Sequence, residues 1–298
     1  MDTMSAAEMR NVVIWIAWAV GSALLLGAAP PLMRAGAKRS DPSVAAGLFA
    51  LMFTAGACGV AALKGTLSAI RVIDNATLVS LLLSGLLSAF TWLCLFTALT
   101  GGQAGRVVPV VNLSTVAVLI ASHFLLGAPL GLWRMCCIVL ILLGTVLIES
   151  RAGGKARGRL WMLYAVLAAL SYTGVRLMND LSLAGIDPVL VDIGRGAAAS
   201  VLLWAFVLVR GKQRTMAGMP AAAWACAPLA ALFCCGSAVC AYLSSLRGDM
   251  SMLAPVSVLS FAAAMLISRA ALKERQPGST VFGTLLVLLG MFAILMGW

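Results

Sequence analysis

Ten long apolar runs, separated only by short charged or Gly/Pro-containing connections, leave this chain little with which to build a water-facing surface. They occupy 11–33, 42–63, 76–100, 107–126, 133–149, 160–180, 188–209, 221–245, 251–268 and 278–298. A helix needs about 20 apolar residues to cross a bilayer core, and each run is close to that length. Of the 298 residues, 62% are apolar and 10% charged, whereas a soluble domain carries about a quarter charged residues. The expected fold class is an all-α integral membrane protein of ten transmembrane helices. The run at 11–33 is too long for an ordinary signal-peptide core and follows both Asp2 and Glu8, so it is read as a span.

The two halves of the chain align end to end with one shift of 146 residues. Trp15 falls on Trp161, Asp41-Pro42 on Asp187-Pro188, Lys64-Gly65 on Arg210-Gly211 and Pro109-Val110 on Pro255-Val256. Leu113-Ser114 falls on Leu259-Ser260, and Leu142-Leu143-Gly144 on Leu288-Leu289-Gly290. Apolar sequences match by chance, but chance does not hold one register through Trp, Asp-Pro and Pro landmarks. The expected organisation is a first five-helix unit over 1–150 and a second over 151–298. Five is odd, so the second unit enters the membrane from the opposite side, and the units form an inverted repeat.

Charge bias agrees with inversion. The loops after the odd-numbered spans hold 14 Lys and Arg, against four in the N-terminal tail and the loops after even-numbered spans, with Arg134 at the start of span 5. The segment from Arg34 to Arg39 is basic, while its counterpart from Asp180 to Asp187 is acidic. Basic loops face the cytoplasm, which places both termini outside. Expected localisation is multi-pass in a plasma membrane, the inner membrane of a bacterium. The net charge of +11 thus reads as topology signal and contact with anionic lipid rather than nucleic-acid binding.

All eight cysteines lie inside apolar runs, with no Cys-x-x-Cys, and the single histidine, His123, has no partner at metal spacing. No metal, cofactor or catalytic residue is expected.

From Leu272 the sequence reads Leu-Lys-Glu-Arg-Gln-Pro-Gly-Ser-Thr-Val-Phe-Gly and continues through an apolar run to Gly290. This resembles the end of an EamA-type domain of the drug/metabolite transporter superfamily. Pro255, and Asp187-Pro188 followed by Arg195, also look like that family, and the resemblance covers the whole chain as two units. It implies export or exchange of small metabolites such as amino acids. The first unit departs from the pattern: Ala128 stands opposite Glu274 and Phe49 opposite Arg195. Whatever Glu274 or Arg195 does is carried by one half.

Span 6 carries Trp161, Tyr164, Ala168, Tyr172, Arg176 and Asn179 at spacings of three or four, one helical face. Charge inside a membrane is costly and faces a cavity or a partner. The expectation is a wall of a substrate path in which rings contact the solute and Arg176 meets a carboxylate. The alternative is an interfacial belt, to which Trp161 is assigned, plus a structural ion pair. Tyr164, Tyr172, Arg176 and Asn179 are thus candidate substrate contacts, joined by Asn112 in span 4 and Trp18 in span 1. Asp180, Asp192 and Arg195 are expected, with Arg176, to form a compensated network acting as a gate latch or structural pair. Pro109 and Pro255 either bend spans 4 and 9 or end the preceding loops.

The expected function is a membrane transporter working by alternating access between two inverted repeats, taking a small-molecule substrate as a monomer or homodimer. No nucleotide-binding loop is present, and span 1 lacks a carboxylate, so transport without ion coupling is expected. Two other classes compete. An enzyme on a lipid-linked substrate would call for clustered His, Asp and Glu, and an assembly subunit would need neither the polar stripe nor the duplication.

Overall fold

The computed structural model describes residues 6–66, 74–127, 131–150, 160–183, 185–246, 259–272 and 278–296. The described residues form α-helices and one short 3-10 helix, with no strand among them. In chain order the helices are α1 (Ala6–Ala37), α2 (Pro42–Lys64), α3 (Asn75–Gly101), α4 (Ala104–Val111), α5 (Leu113–Leu126) and α6 (Leu132–Ser150). They continue as α7 (Leu160–Leu181), α8 (Pro188–Val209), α9 (Ala221–Ser245), α10 (Leu259–Ala271) and α11 (Gly278–Met296). Seven apolar stretches are long enough to cross a membrane, counting 104–125 as one. Helices α6, α10 and α11 are apolar over shorter lengths.

The helix ends follow from local chemistry. Asp41 holds an extended backbone before Pro42, and its carboxylate accepts a 3.0 Å hydrogen bond from the Ser43 amide. Asp187 does the same for Val189 at 2.9 Å, ahead of Pro188. An aspartate cap stabilises a helix by about 1 kcal/mol, and proline at the first helical position has no amide left unbonded. Gly65 closes α2 at φ 72°, in the left-handed region that glycine enters without steric cost.

Span 4 is not continuous. Pro109 lies inside α4 and is buried, the helix ends at Val111, and a new helix starts after Asn112. Proline at 109 removes one helical donor, and the Asn112 amide donates to the Val108 carbonyl at 2.8 Å. Pro255 lies outside the described residues.

Packing repeats itself when the two halves are exchanged. Helix α1 packs on α9 as α3 packs on α7, and α3 on α8 as α2 on α9. Helices α2 and α8 pack on each other, and so do α6 and α11. The first of these pairs is antiparallel, as two ion pairs show. Lys212, just past the end of α8, reaches Asp41 at the start of α2 at 2.7 Å. Lys64, at the end of α2, reaches Asp187 at the start of α8, also at 2.7 Å. The second pair crosses backbone on backbone. A methyl group on Gly144 would lie 2.6 Å from the Gly283 carbonyl oxygen, and one on Gly283 2.5 Å from that of Gly144. Small residues at a crossing let membrane helices approach closely.

The main buried cluster lies where α2, α3, α4, α7 and α8 meet, around Phe49, Phe96, Leu99, Val107 and Leu203. Trp161 belongs to it, only 9% exposed and stacked over Gly102. It is therefore a core side chain and not the interfacial anchor expected of a tryptophan at a span end.

Candidate functional site

A cavity of about 630 Å³ opens between the two halves, with a wall from most of the helices. That volume is in the range of small-molecule sites. Helix α7 contributes Tyr172 and Arg176, one turn apart, with the guanidinium carbon 5.2 Å from the ring centre. Such stacking contributes about 0.5–2 kcal/mol, more where water is excluded. Arg176 also donates to the Thr115 hydroxyl at 3.2 Å. Thr115 and Asn112 follow the break in span 4, and both line the cavity. The break thus lies on the cavity wall, where the Asn112 amide bonds back to Val108 and the Thr115 hydroxyl accepts from Arg176.

Arg195 enters from α8 and pairs with Asp192 one turn earlier. Phe49 and Phe53 of α2, also on the cavity wall, meet Trp92 of α3 edge-on, with centroids 5.2 and 5.4 Å apart. The hydroxyl of Thr91 donates to Ser171 at 2.9 Å, and Ser22 and Ser237 lie 3.0 Å apart. These bonds tie α3 to α7 and α9 to α1 beside the cavity.

The lining is symmetric in position and asymmetric in chemistry. Tyr172 lines the cavity and so does Leu26, its equivalent 146 residues earlier. The same holds for Arg176 with Pro30, Arg195 with Phe49, and Thr115 with Phe261. In each case one repeat supplies a polar or charged group and the other an apolar one. Thr91 and its equivalent Ser237 also line the cavity and match in kind. The cavity lining therefore combines cationic and hydrogen-bonding groups with apolar and aromatic ones. No Asp or Glu lines it among the described residues.

The residues singled out from sequence separate into groups. Asn112, Tyr172, Arg176 and Arg195 converge on the cavity. Tyr164, two turns before Tyr172 on the same face, lines a different and smaller pocket between α3 and the ends of α2 and α8. Trp18 is 37% exposed on the outside of α1 and is not part of the cavity wall. Asn179 lies one turn beyond Arg176 with its carbonyl oxygen buried and unbonded among the described residues. The four-charge network does not assemble. Arg195 and Asp192 pair, Arg176 turns to Thr115, and Asp180 is exposed at the end of α7. Phe49, Phe53, Trp92 and Thr115 are lining residues that the sequence reading did not select. The one signal for them was Phe49 standing opposite Arg195.

Residues 13–150 and 159–296 each match the model of the EamA-like transporter family. Together these matches span nearly the whole chain, and the chain belongs to that family. A solved protein, described only as a crystal structure of a protein, superposes with a TM-score of 0.61. The match covers 95% of this chain and 96% of the other at 17% identity, a likeness of fold. No curated protein matches the chain.

Proposed function

We propose that this member of the EamA-like transporter family moves small amphipathic metabolites with an anionic group, amino acids or similar carboxylates, across a cell's plasma membrane. The observation that carries this reading is Arg176, a cation on the cavity wall with a hydroxyl and a ring for neighbours and no carboxylate bonded to it among the described residues. A carboxylate can dock on its free donors without displacing an internal ion pair, and a guanidinium binds it in a planar fork. The apolar part of the solute then rests against Phe49, Phe53 and Trp92, which line the same cavity.

Two family-matching halves whose helix contacts exchange with each other support alternating access. Helices α6, α10 and α11, though shorter, take places in the packing that exchange with those of α11, α4–α5 and α6. The ion pairs Asp41–Lys212 and Lys64–Asp187 sit at opposite ends of the α2–α8 seam. Rocking the halves strains one while keeping the other, so each serves as a latch for one side of the membrane.

Counterflow into liposomes holding the purified protein tests this reading, using a panel of amino acids, carboxylates and their amides. Accelerated exchange of at least one carboxylate, reduced in Arg176→Gln, is the expected outcome. A panel without any exchange would move the protein out of this class and toward an enzyme acting within the membrane.

A further inference from the structure

The smaller pocket, about 320 Å³, lies at the Asp41 end of the α2–α8 seam and is walled by four helices. Its inner surface is apolar, from Leu93, Leu167, Phe90 and Phe206, and its end carries Tyr164, Arg210 and Lys212. Phe90 and Phe206 are 46% and 37% exposed, so this wall opens sideways to acyl chains and not toward the central cavity. Lys212 is held by Asp41, which neutralises one charge of each sign. Arg210 has no acidic partner among the described residues and lies over the Phe206 ring at 5.3 Å. The mouth therefore keeps one net positive charge above an apolar slot. Lys38 and Arg39, just before Asp41, and Arg214, just after Lys212, are exposed at this same end, the basic face that membrane proteins turn to an anionic leaflet.

We infer that this pocket binds one anionic phospholipid, its phosphate against Arg210 and the Tyr164 hydroxyl and its acyl chains along Phe90, Leu93, Leu167 and Phe206. A soluble anion of the same charge would gain nothing from the apolar walls, which face the bilayer. A zwitterionic lipid would place a second cation beside Arg210 and Lys212.

Native mass spectrometry of the purified full chain tests this, with phosphatidylglycerol and phosphatidylcholine of equal chain length in equal amounts. The wild type is expected to retain phosphatidylglycerol preferentially, and Arg210→Gln to lose about fivefold of that preference, as removal of one cation beside an anionic headgroup implies. Arg214→Gln, on the same face but outside the pocket, is expected to keep it. Unchanged preference in Arg210→Gln, or equal loss in both variants, overturns the inference, as does displacement of the lipid by millimolar inorganic phosphate. On the unmodified protein, a phosphatidylglycerol with a photoreactive headgroup is expected to label peptides containing Tyr164 or Arg210. Labelling confined to other segments also overturns it.

Discussion

The hydroxyl oxygens of Thr54 and Ser200 lie 3.3 Å apart, and the two residues are 146 positions apart in the chain. Each is the repeat equivalent of the other, so their contact marks the axis about which the halves are related. Phe49 and Arg195 lie one to two turns from this contact on α2 and α8, and both line the cavity. The cavity thus straddles the axis, where an internal duplication would make two identical walls unless sequence divergence made them differ. Divergence has done so at Tyr172, Arg176, Arg195 and Thr115, whose equivalents are Leu26, Pro30, Phe49 and Phe261.

Losing Arg195 is expected to abolish transport while leaving the protein folded in membranes. The Arg195→Ala variant leaves Asp192 as an uncompensated charge beside the cavity, so Arg195→Ala with Asp192→Asn is the cleaner comparison. Both are expected to fail in counterflow, and the double variant to recover the thermal stability lost in the single one. Wild-type exchange by either would remove Arg195 from the transport machinery.

The two ion pairs of the α2–α8 seam are expected to differ in strength. Side-chain exposure is 14% and 24% for Lys64 and Asp187 but 45% for Lys212 against 17% for Asp41, and solvent weakens an ion pair. Double-mutant cycles with Lys64→Met and Asp187→Asn should give a coupling near 1 kcal/mol, and the Lys212–Asp41 cycle about half of that. Asparagine keeps the helix cap, so the cycle reads the ion pair alone. The reverse order of couplings would contradict the geometry.

Acid should destabilise the protein through the same two aspartates, which lie just outside their spans. Burial pushes the Asp41 carboxyl up, and the hydrogen bonds from Lys212 and Ser43 more than offset it, leaving the group below the ordinary value of 3.8. At Asp187 burial is likewise outweighed, by Lys64 and the Val189 amide. Groups depressed by folding contribute stability that is complete above their unfolded value and lost as pH falls through the folded one. Thermal unfolding should therefore be insensitive to these groups from neutral pH down to about 4 and weaken below it. In Asp41→Asn with Asp187→Asn, that acid-side fall should shrink.

Glycines of similar appearance in sequence should respond oppositely. Gly59 in α2 has open space where a methyl group would go, whereas at Gly144 the methyl would meet the Gly283 carbonyl oxygen. Gly59→Ala is expected to stabilise by up to about 1 kcal/mol through helix propensity. Gly144→Ala is expected to cost about 1–3 kcal/mol as α6 and α11 are forced apart. Melting temperatures in detergent that move together would contradict the close crossing.

Much of the fold was legible because membrane helices must announce their ends in polar chemistry. Asp41-Pro42 and Asp187-Pro188 are caps that can be read directly, and their shared register exposed the duplication. The site was less legible, for reasons of length and polarity. Tyr164 and Tyr172 share a helical face, yet eight residues are about 12 Å of helix, enough to put the rings in two separate pockets. Phe49, Phe53 and Trp92 could not be told from lipid-facing rings, since both faces of a membrane helix are apolar and periodicity carries little contrast. Trp18 failed in the opposite sense, because an aromatic on the equivalent stripe of α1 points outward. The break at Asn112 depends on how Pro109 and the Asn112 side chain share the backbone, which spacing alone does not reveal.

The central claim is that Arg176 receives an anionic group of the solute, and affinity measured by counterflow with carboxylate and carboxamide forms of one solute tests it most directly. Arg176→Gln is expected to weaken binding of the carboxylate by about 10- to 100-fold, the value of a charge-assisted hydrogen bond, and to leave the amide almost unchanged. Equal weakening of both forms, or of neither, would contradict the account.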